Sequence, residues 1–413
     1  MTHVLLTDPV STGAELSRAL IEEGATVTHA HSPSQCEAFS SDPNTKILLT
    51  EPLKIPLQHL RGLPPVDYVC AGSEYGVDSA AELADQLGLP HHGRDAQLAR
   101  RDKAAMHLQL TRHEIDSLDT HVADSISSLE QIVDRLHNAK YVVKPRDSAG
   151  SDGCTIVGRE DVLAAGTAIW GKANLMGQTN HEVLVQEYAE GPQYIVNTVS
   201  HERTHWLTDM YAERIDEIAG LPTVRHTDSI TTLGETEQVL VDYVFQCLDA
   251  LEIRDGAAHT EVRLTERGPV LIEVNSRIMG PCLLPDPYML AFGYSQQHIL
   301  TEKILRPAEF ENRLSSAYSP SQTLVKVFLR SHKPGVLNAI PGLRVMRRLP
   351  HFHSVAWMPP VGRELQDLTL TTGYMGVAFF VGENKAEVMN SVEAVHELED
   401  RGLFFDVTSG LAG

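Results

Sequence analysis

Two short segments near residue 267 carry acidic side chains that can face each other across a β-hairpin. The segments 258–265 and 269–275 alternate apolar and polar residues around a glycine-containing turn, a pattern that predicts two paired strands. The register that brings their apolar faces together sets Glu261 opposite Glu273. The same register pairs His259 with Asn275, Thr260 with Val274, Val262 with Ile272 and Leu264 with Val270.

Two opposed carboxylates on one face of a hairpin predict a bound cation. Side chains directly opposite on paired strands lie about 5 Å apart, and like charges there are destabilising. Oxygen ligands from Glu261 and Glu273, with Asn275 nearby, suit Mg²⁺ or Mn²⁺ rather than zinc. In the alternative interpretation the register slips by two residues and the glutamates face water. Arg277, two residues further on, would neutralise an anionic substrate or else form a surface salt bridge.

A lysine stands at the end of a β-branched segment, directly before a loop of small residues. Lys144 ends the segment 141–144, and the loop 145–153 contains two glycines before a strand resumes at 155–157. Small residues let backbone N–H groups approach phosphate oxygens, and the lysine adds a positive charge. The loop is not a Walker A motif, because the lysine precedes the glycines. The alternative is a flexible hairpin tip beside a surface lysine.

Two further segments carry weaker signals. The segment 183–194 predicts a buried strand, a turn and a new strand, which could offer backbone amides to an adenine edge and a side chain to a ribose. An ordinary β-turn has the same pattern. Arg101-Asp102-Lys103 stands at a predicted helix start, where a solvated basic helix end is the alternative.

The elements that must position these residues change in type along the chain. Strand-like segments at 4–7, 25–29, 47–50 and 68–71 alternate with helical segments, which predicts a parallel sheet covered by helices. The boundary of this first region is expected near residues 91–99. The chain then becomes rich in strands and glycine loops to about residue 275. For 413 residues, two or three domains are expected.

Composition excludes several classes of protein. The formal net charge is −21, so we expect neither nucleic acid nor an anionic membrane as a partner. Five scattered cysteines without a C-x-x-C pair give no support to a disulfide framework or a zinc site and fit a reducing cytosol. The start of the chain lacks the pattern of a secretory signal, and no apolar run is long enough to span a bilayer. A cytoplasmic protein is therefore expected. The sequence also lacks G-x-S-x-G and G-x-G-x-x-G motifs, which disfavours a hydrolase and a dinucleotide-dependent redox enzyme.

Taken in order, these motifs resemble the ATP-grasp superfamily, and within it the branch of L-amino acid ligases (dipeptide synthetases). The turn 8–13 and the loop Gly72-Ser73-Glu74 resemble the leading domain of that branch. The ATP-grasp core is matched by four motifs: Arg101-Asp102-Lys103, Val143-Lys144-Pro145, Gln186-Glu187-Tyr188 and Glu273-Val274-Asn275-Ser276-Arg277.

The resemblance implies an α/β (α+β) protein with the ATP-grasp fold. It implies an N-terminal Rossmann-like pre-ATP-grasp domain at 1–98 and an ATP-grasp domain at 99–308. A lid subdomain would occupy about 112–185 of the latter. Residues 309–413 would form a C-terminal α/β extension that completes the ligase.

The resemblance also implies a role for each matching residue. Lys103 and Lys144 would contact the ATP phosphates, and Arg277 would steady the acyl phosphate or a substrate carboxylate. Gln193 would bind ribose, where relatives usually have a glutamate. The mobile lid would contain Ser148, Ala149, Gly150, Ser151 and Gly153. Glu187 and Ala189 would hold the adenine through their backbone, and Gln186 and Tyr188 would also contact the nucleotide. Two Mg²⁺ ions would be bound by Glu261, Glu273 and Asn275. Further substrate contacts would come from His226 and Glu74. Relatives often have a glycine pair where this chain has Ile278-Met279-Gly280-Pro281, so a different pocket wall is expected.

The activity implied is that of an ATP-dependent carboxylate–amine ligase. A carboxylate would attack the γ-phosphate of ATP to give an acyl phosphate and ADP, and an amine would then attack the acyl carbon. The substrates expected are two L-amino acids, or an amino acid and an amine, and ligases of this type are often homodimers. One alternative is a ligase for a non-amino-acid carboxylate in cofactor, nucleotide or secondary-metabolite biosynthesis. Another is a non-catalytic ATP-binding regulatory module, for which the full set of metal ligands has no use.

Overall fold

The first part of the chain forms a parallel sheet in the computed structural model, which describes residues 1–32, 45–48, 64–146, 153–174, 179–218, 221–281, 284–331, 333–365 and 374–408. The elements are β1 (His3–Thr7), α1 (Thr12–Glu22), β2 (Thr26–His31), β3 (Thr45–Leu48), β4 (Tyr68–Ala71) and α2 (Val77–Leu87). The strand order is β3-β2-β1-β4, and all pairs are parallel. Every residue of β1 is buried, because α1 packs on one face of the sheet and α2 on the other. The predicted parallel sheet is confirmed.

A second sheet, also of four strands, follows and is called the small sheet because the largest sheet has eight. Its elements are α3 (Lys103–Arg112), β5 (Thr120–Ala123), α4 (Ile126–Val133), β6 (Lys140–Pro145), β7 (Thr155–Gly158), α5 (Val162–Ile169) and β8 (Val183–Glu187). The strands are antiparallel in the order β5-β8-β6-β7. Helices α4 and α5 cover one face, where Leu129 and Val162 pack on Tyr141, Val143 and Val185. Alternation along β6 turns Val142 and Lys144 to the other face.

The largest sheet contains most of the remaining strands. Its region comprises β9 (Gln193–His201), β10 (Thr204–Ile218), β11 (Leu221–Ser229), α6 (Glu235–Ala250), β12 (Gly256–Thr265), β13 (Gly268–Asn275), α7 (Pro285–Phe292), α8 (Gln296–Leu305) and α9 (Pro307–Arg313). It continues with β14 (Thr323–Leu329), β15 (Gly335–Ala339), α10 (Pro341–Met346), β16 (Phe352–Trp357), β17 (Glu364–Leu365), β18 (Gly376–Gly382), α11 (Lys385–Asp400) and β19 (Asp406–Thr408). Eight antiparallel strands run in the order β13-β12-β9-β10-β11-β14-β18-β16. Helix α6 covers one face with Leu240, Val244 and Leu248.

This sheet is continuous across the predicted boundary near residue 308. Strand β11 pairs with β14 through three residue pairs, and β14 pairs along its whole length with β18. The region after residue 308 thus extends the same sheet and also forms a separate three-stranded sheet, β17-β15-β19. The predicted division into three domains stays a prediction.

In the half of the β12–β13 hairpin that is away from the turn, the observed register is the predicted one. Glu261 pairs with Glu273, and the two pairs beside it, His259–Asn275 and Thr260–Val274, are also confirmed. Toward the turn the register shifts by one residue. The predicted pairs Val262–Ile272 and Leu264–Val270 are wrong, because Val262 pairs with Leu271 and Leu264 with Pro269. Ile272 is the extra residue of a β-bulge, and it lines the same cavity as Glu273.

Candidate active site

A cavity of about 500 Å³ lies between the small sheet, the cavity-facing side of the eight-stranded sheet and two loops of the N-terminal region. It is lined by most of the predicted site residues that the structure describes: Glu74, Lys103, Lys144, Gln186, Glu187, Tyr188, Ala189, Gln193, Glu261, Glu273 and Arg277. Asn275, Gly153 and His226 are not among its lining residues. Residues far apart in the sequence therefore meet around one space.

The acidic pair of the hairpin faces this cavity. Lys103 Nζ lies 3.2 Å from Glu273 Oε2, and Asn275 Nδ2 donates a 3.0 Å hydrogen bond to Glu273 Oε1. Burial raises the pKa of Glu273, but Lys103, the bond from Asn275 and Lys144 outweigh burial and lower it. Glu273 is therefore held as a carboxylate, the form in which it can bind a metal ion.

The donor set fits Mg²⁺ that is shared with a ligand. Glu261 and Glu273 supply carboxylates, and Asn275, whose amide nitrogen binds Glu273, carries a further oxygen in its side chain. Among the residues that the structure describes, no group of three His, Cys, Asp or Glu side chains could hold a metal by itself. Mg²⁺ is typically bound through one or two carboxylates plus substrate phosphates and water. The residues present match that incomplete kind of site.

Two lysines stand beside the acidic pair. Lys103 is the first residue of α3, and Lys144 lies on β6 of the small sheet. Lys144 Nζ donates a 2.9 Å hydrogen bond to Gln186 Oε1. Burial and the charge of Lys103 lower the pKa of Lys144. Burial acts in the same direction on Lys103, but Glu273 and Glu74 outweigh it and raise the pKa of Lys103. Two ammonium groups near each other at a cavity wall favour a polyanion between them.

The segment 186–189, at the end of β8, is held by two arginines of the β12–β13 hairpin. Glu187 forms a two-armed ion pair with Arg267, at 2.5 and 3.1 Å, and Arg267 stands at the tip of the β12–β13 hairpin. The carbonyl of Ala189 accepts a 2.7 Å hydrogen bond from Arg263. The guanidinium of Arg263 also lies 5.1 Å from the ring centroid of Tyr188. These contacts tie the segment 186–189 to the hairpin that carries the acidic pair.

Gln193 lies at the centre of a polar network that sequence reasoning missed in part. Its Nε2 donates to Glu213 Oε2 at 2.6 Å and to Glu261 Oε2 at 3.2 Å, while its Oε1 accepts from Arg263 at 3.0 Å. Burial and the charge of Glu261 raise the pKa of Glu213 to about 8. A glutamate at position 193 would bring a third carboxylate to this point, whereas an amide can donate to both acids.

The signals for the missed residues differ. Arg263 follows Glu261 by two residues on the same strand, so strict alternation would have placed both on one face. Glu213 is far from the hairpin in the sequence and meets it only through the pairing of β9 with β10. Lys326, Phe328, Arg330 and Tyr374 also line the cavity, and no motif in the sequence marked them.

The N-terminal loops close the opposite side. Glu74 accepts hydrogen bonds from Arg277 Nε at 2.9 Å and from Arg101 Nη1 at 2.8 Å, so two predicted substrate residues bind each other. The loops approach so closely that a Cβ atom on Gly13 would lie 2.0 Å from the carbonyl oxygen of Gly72. Glycine is required at position 13 for this contact.

His226 is placed away from the cavity, contrary to the expected substrate contact. In the pairing of β10 with β11, Arg214 opposes His226 and Ile215 opposes Val224, so Arg225 is an extra residue. This bulge turns Val224 and Thr227 into the cavity wall. The His226 ring instead stacks on His396, and Nδ1 of His226 lies 2.9 Å from Nε2 of His396. Burial and the charge of His396 lower the pKa of His226 to about 3.

The predicted phosphate-covering loop lies mostly outside the described residues. Ser148, Ala149, Gly150 and Ser151 fall in that part of the chain. Gly153 is described and exposed, with a φ of 65° in the left-handed region.

Among the described residues, no helix is long and apolar enough to cross a membrane.

Comparison with known proteins finds a matching family model and a similar curated protein. A family model described as an ATP-grasp domain matches residues 137–286. Dapdiamide A synthase of Enterobacter agglomerans is 29% identical over 338 residues, which cover 80% of this chain and 78% of that protein.

Solved structures match the fold over nearly the whole chain. The L-amino acid ligase of Bacillus licheniformis has a TM-score of 0.79 and 17% identity, with 99% of each chain covered. An N5-carboxyaminoimidazole synthase of Aspergillus clavatus, solved with ADP and 5-aminoimidazole ribonucleotide, has a TM-score of 0.67 and 13% identity, with 97% and 99% covered. The predicted fold class is confirmed by these matches.

Proposed function

Because this chain is an ATP-dependent carbon–nitrogen ligase of the ATP-grasp superfamily, we propose that it forms an amide bond between two L-amino acids. The observation that carries the proposal is the meeting of Glu261, Glu273, Lys103 and Lys144 at one cavity. Paired acids beside paired lysines suit a metal-bound polyphosphate. The name of dapdiamide A synthase supports an amide product, and that of the bacterial L-amino acid ligase supports an amino acid substrate.

We place the nucleotide by the chemistry of the walls. The triphosphate lies against Lys103 and Lys144, the base against the segment 186–189, and the ribose near Gln193. Two Mg²⁺ ions bound with ATP would neutralise charge on the phosphate oxygens and help to orient the γ-phosphate. Glu261, Glu273 and Asn275 would hold them.

The chain's own residues then position the reactants. Phosphoryl transfer depends mainly on alignment and charge neutralisation, which the two lysines supply. A substrate carboxylate attacks the γ-phosphorus, the bond to the β-phosphate oxygen breaks, and ADP leaves. Arg277, held by Glu74, is placed to steady the acyl phosphate. The amine of the second substrate attacks the acyl carbon and displaces phosphate.

No protein nucleophile is needed in this scheme. Cys154 lines the cavity, but burial raises the pKa of its thiol, so it stays protonated and unreactive at neutral pH. The amine of the substrate therefore acts directly on the acyl phosphate.

The proposal is tested by a screen of amino acid pairs with ATP and Mg²⁺. We expect ADP and phosphate to be released only with particular pairs, and the mass of the product to equal that of the two amino acids less one water. Phosphate release with a non-amino-acid carboxylate instead would contradict the amino acid substrate. ATP binding without release under all conditions would support a regulatory module.

Glu273→Gln gives the decisive control for the metal assignment. Residues that hydrogen-bond the ligands of a metal site contribute about 10–100-fold to metal affinity or activity. Removal of a ligand carboxylate itself should therefore lower the rate of phosphate release at least about 100-fold. Glu266→Gln, at the exposed tip of the same hairpin, should leave it unchanged. Unaltered turnover of the Glu273 variant would refute the magnesium site.

A further inference from the structure

A row of polar side chains crosses the cavity face of the eight-stranded sheet. In the strand register, Arg263 pairs with Gln193, Gln193 with Glu213, Glu213 with Thr227, and Thr227 with Lys326. Cross-strand partners share one face of a sheet, and all five residues line the cavity. The row runs from the hairpin of the acidic pair to the strands after residue 308.

The two ends of this row have different surroundings. At the hairpin end, Arg263 is held by Gln193 and by the carbonyl of Ala189. At the other end, Lys326 is 2% exposed, and its ammonium lies 5.1 Å from the ring centroid of Phe328. Glu213 stands between the ends, two strands from Lys326, or about 10 Å between Cα atoms. The row therefore presents a carboxyl group and an ammonium group to one space.

We propose that Glu213 and Lys326 form a subsite for the acceptor amino acid, in which Glu213 binds its ammonium group and Lys326 binds its free carboxylate. The inference rests on the proposed ligase function and deepens it, because it assigns residues to the two charged groups of the acceptor amino acid. The carboxyl group of Glu213 and the ammonium group of Lys326 are complementary to the ammonium and carboxylate groups of a zwitterionic amino acid. Phe328 and Tyr374, whose ring centroids are 5.7 Å apart, supply an apolar wall for the side chain of the acceptor.

The position of the row assigns it to the acceptor rather than to the donor. The donor carboxylate must react beside Glu261 and Glu273. Lys326 lies on β14, four strands from β12, about 19 Å away between Cα atoms, which is more than one lysine side chain spans. The carboxylate of the acceptor does not react, so Lys326 can hold it on the side of the cavity away from the acidic pair.

The same geometry brings the amine of the acceptor toward the reacting centre. Glu213 Oε2 and Glu261 Oε2 both accept hydrogen bonds from Gln193 Nε2. An ammonium group on Glu213 is thus next to a carboxylate of the proposed metal site, where the acyl phosphate forms. The acceptor would bridge the catalytic end of the cavity and the strands after residue 308.

The test compares an acceptor amino acid with its primary amide. The amide has no free carboxylate, so it can act only as an acceptor, and product masses identify the bond formed. For the wild-type protein we expect kcat/KM to favour the acid by roughly ten- to a hundredfold, the contribution of a charged hydrogen bond. Lys326→Met should remove most of this preference and leave KM for ATP unchanged. Lys326→Arg should keep it.

Two further variants separate binding from general damage. Glu213→Gln should raise KM for the acceptor, acid and amide alike, more than KM for the donor. Lys172→Met, which removes an exposed lysine of the small-sheet region, should change none of these values.

The outcomes distinguish the subsite from the ligase function. Wild-type protein that uses acid and amide equally well overturns the subsite, even if the Lys326 variants do not fold. Equal losses for acid and amide in Lys326→Met overturn it as well. In both cases amino-acid-dependent phosphate release by the wild type would leave the ligase function standing. Absence of that release from the wild type with every pair would overturn both.

Discussion

Glu213 and Glu273 line the same cavity, but their surroundings move their pKa values in opposite directions. Burial disfavours the charged form of both. Lys103 and Lys144 overcome that effect at Glu273 and lower its pKa, whereas the neighbouring charge of Glu261 adds to it at Glu213 and raises the pKa to about 8. Glu273 is thus kept ionised, the form in which it can bind a cation, whereas a nearby positive charge would favour ionisation of Glu213.

The raised pKa of Glu213 predicts a pH dependence of stability in metal-free protein. The pKa of an unfolded glutamate is about 4.3, so between about pH 4.3 and 8 the folded state binds a proton that the unfolded state has lost. The stabilisation is complete at low pH and is lost as the pH rises to about 8. Glu213→Gln cannot titrate. In EDTA, the Tm of this variant minus the Tm of the wild type should therefore increase between about pH 5 and 8 and stay constant above pH 8.

Thermal unfolding followed by circular dichroism at a series of pH values measures this difference. Glu266→Gln serves as the matched control, because it changes an exposed glutamate of the hairpin tip and should give a flat difference. A flat profile for Glu213→Gln would show that Glu213 titrates normally in the folded protein.

Among the elements, the start of α3 joins three parts of the molecule through consecutive residues. Arg101 binds Glu74 of an N-terminal loop. Asp102 accepts from Arg146 beyond β6, and Lys103 pairs with Glu273 of β13. The sequence alone gives these residues the pattern of an ordinary basic helix end. Their partners lie far away along the chain and become evident only when the sheets are assembled.

Asp102 is also the N-cap of α3, since its side chain accepts a 2.7 Å hydrogen bond from the backbone of Ala105. Asp102→Ala removes both the cap and the ion pair to Arg146. Loss of the cap should lower the free energy of unfolding by roughly 1 kcal/mol. Asp102→Asn keeps a good capping oxygen and should lose less. Thermal melts of the two variants make the comparison, and equal values of Tm would show that the cap does not stabilise α3.

For the whole molecule, the eight-stranded sheet links the regions on either side of residue 308. Ile195 and Tyr211 share one apolar cluster with Leu324, Phe328 and Phe379, and every residue of β14 is buried. The strands after residue 308 therefore complete a core as well as a cavity wall.

Truncation at residue 308 tests this dependence. The shortened chain would expose the edge of β11 and the apolar face that β14 covers, so we expect aggregation or loss of cooperative unfolding. Size-exclusion chromatography and thermal melts report both. A chain ending at residue 408, which keeps every described strand, should behave like the full chain. A monomeric, cooperatively folded 1–308 fragment would instead establish the predicted boundary as that of an independent domain.

The sequence alone determined the parallel sheet at the start of the chain and the pairing of Glu261 with Glu273, because both follow from alternation and turns within short segments. It also indicated Lys144, through the loop of small residues that follows it, and Lys144 lines the cavity. Only the tertiary structure decided the rest. The bulges at Ile272 and Arg225 change which side chains face the cavity. Glu213 and Lys326 reach it through strand pairings between distant segments. Such placements depend on long-range register and packing, and no short stretch of residues encodes them.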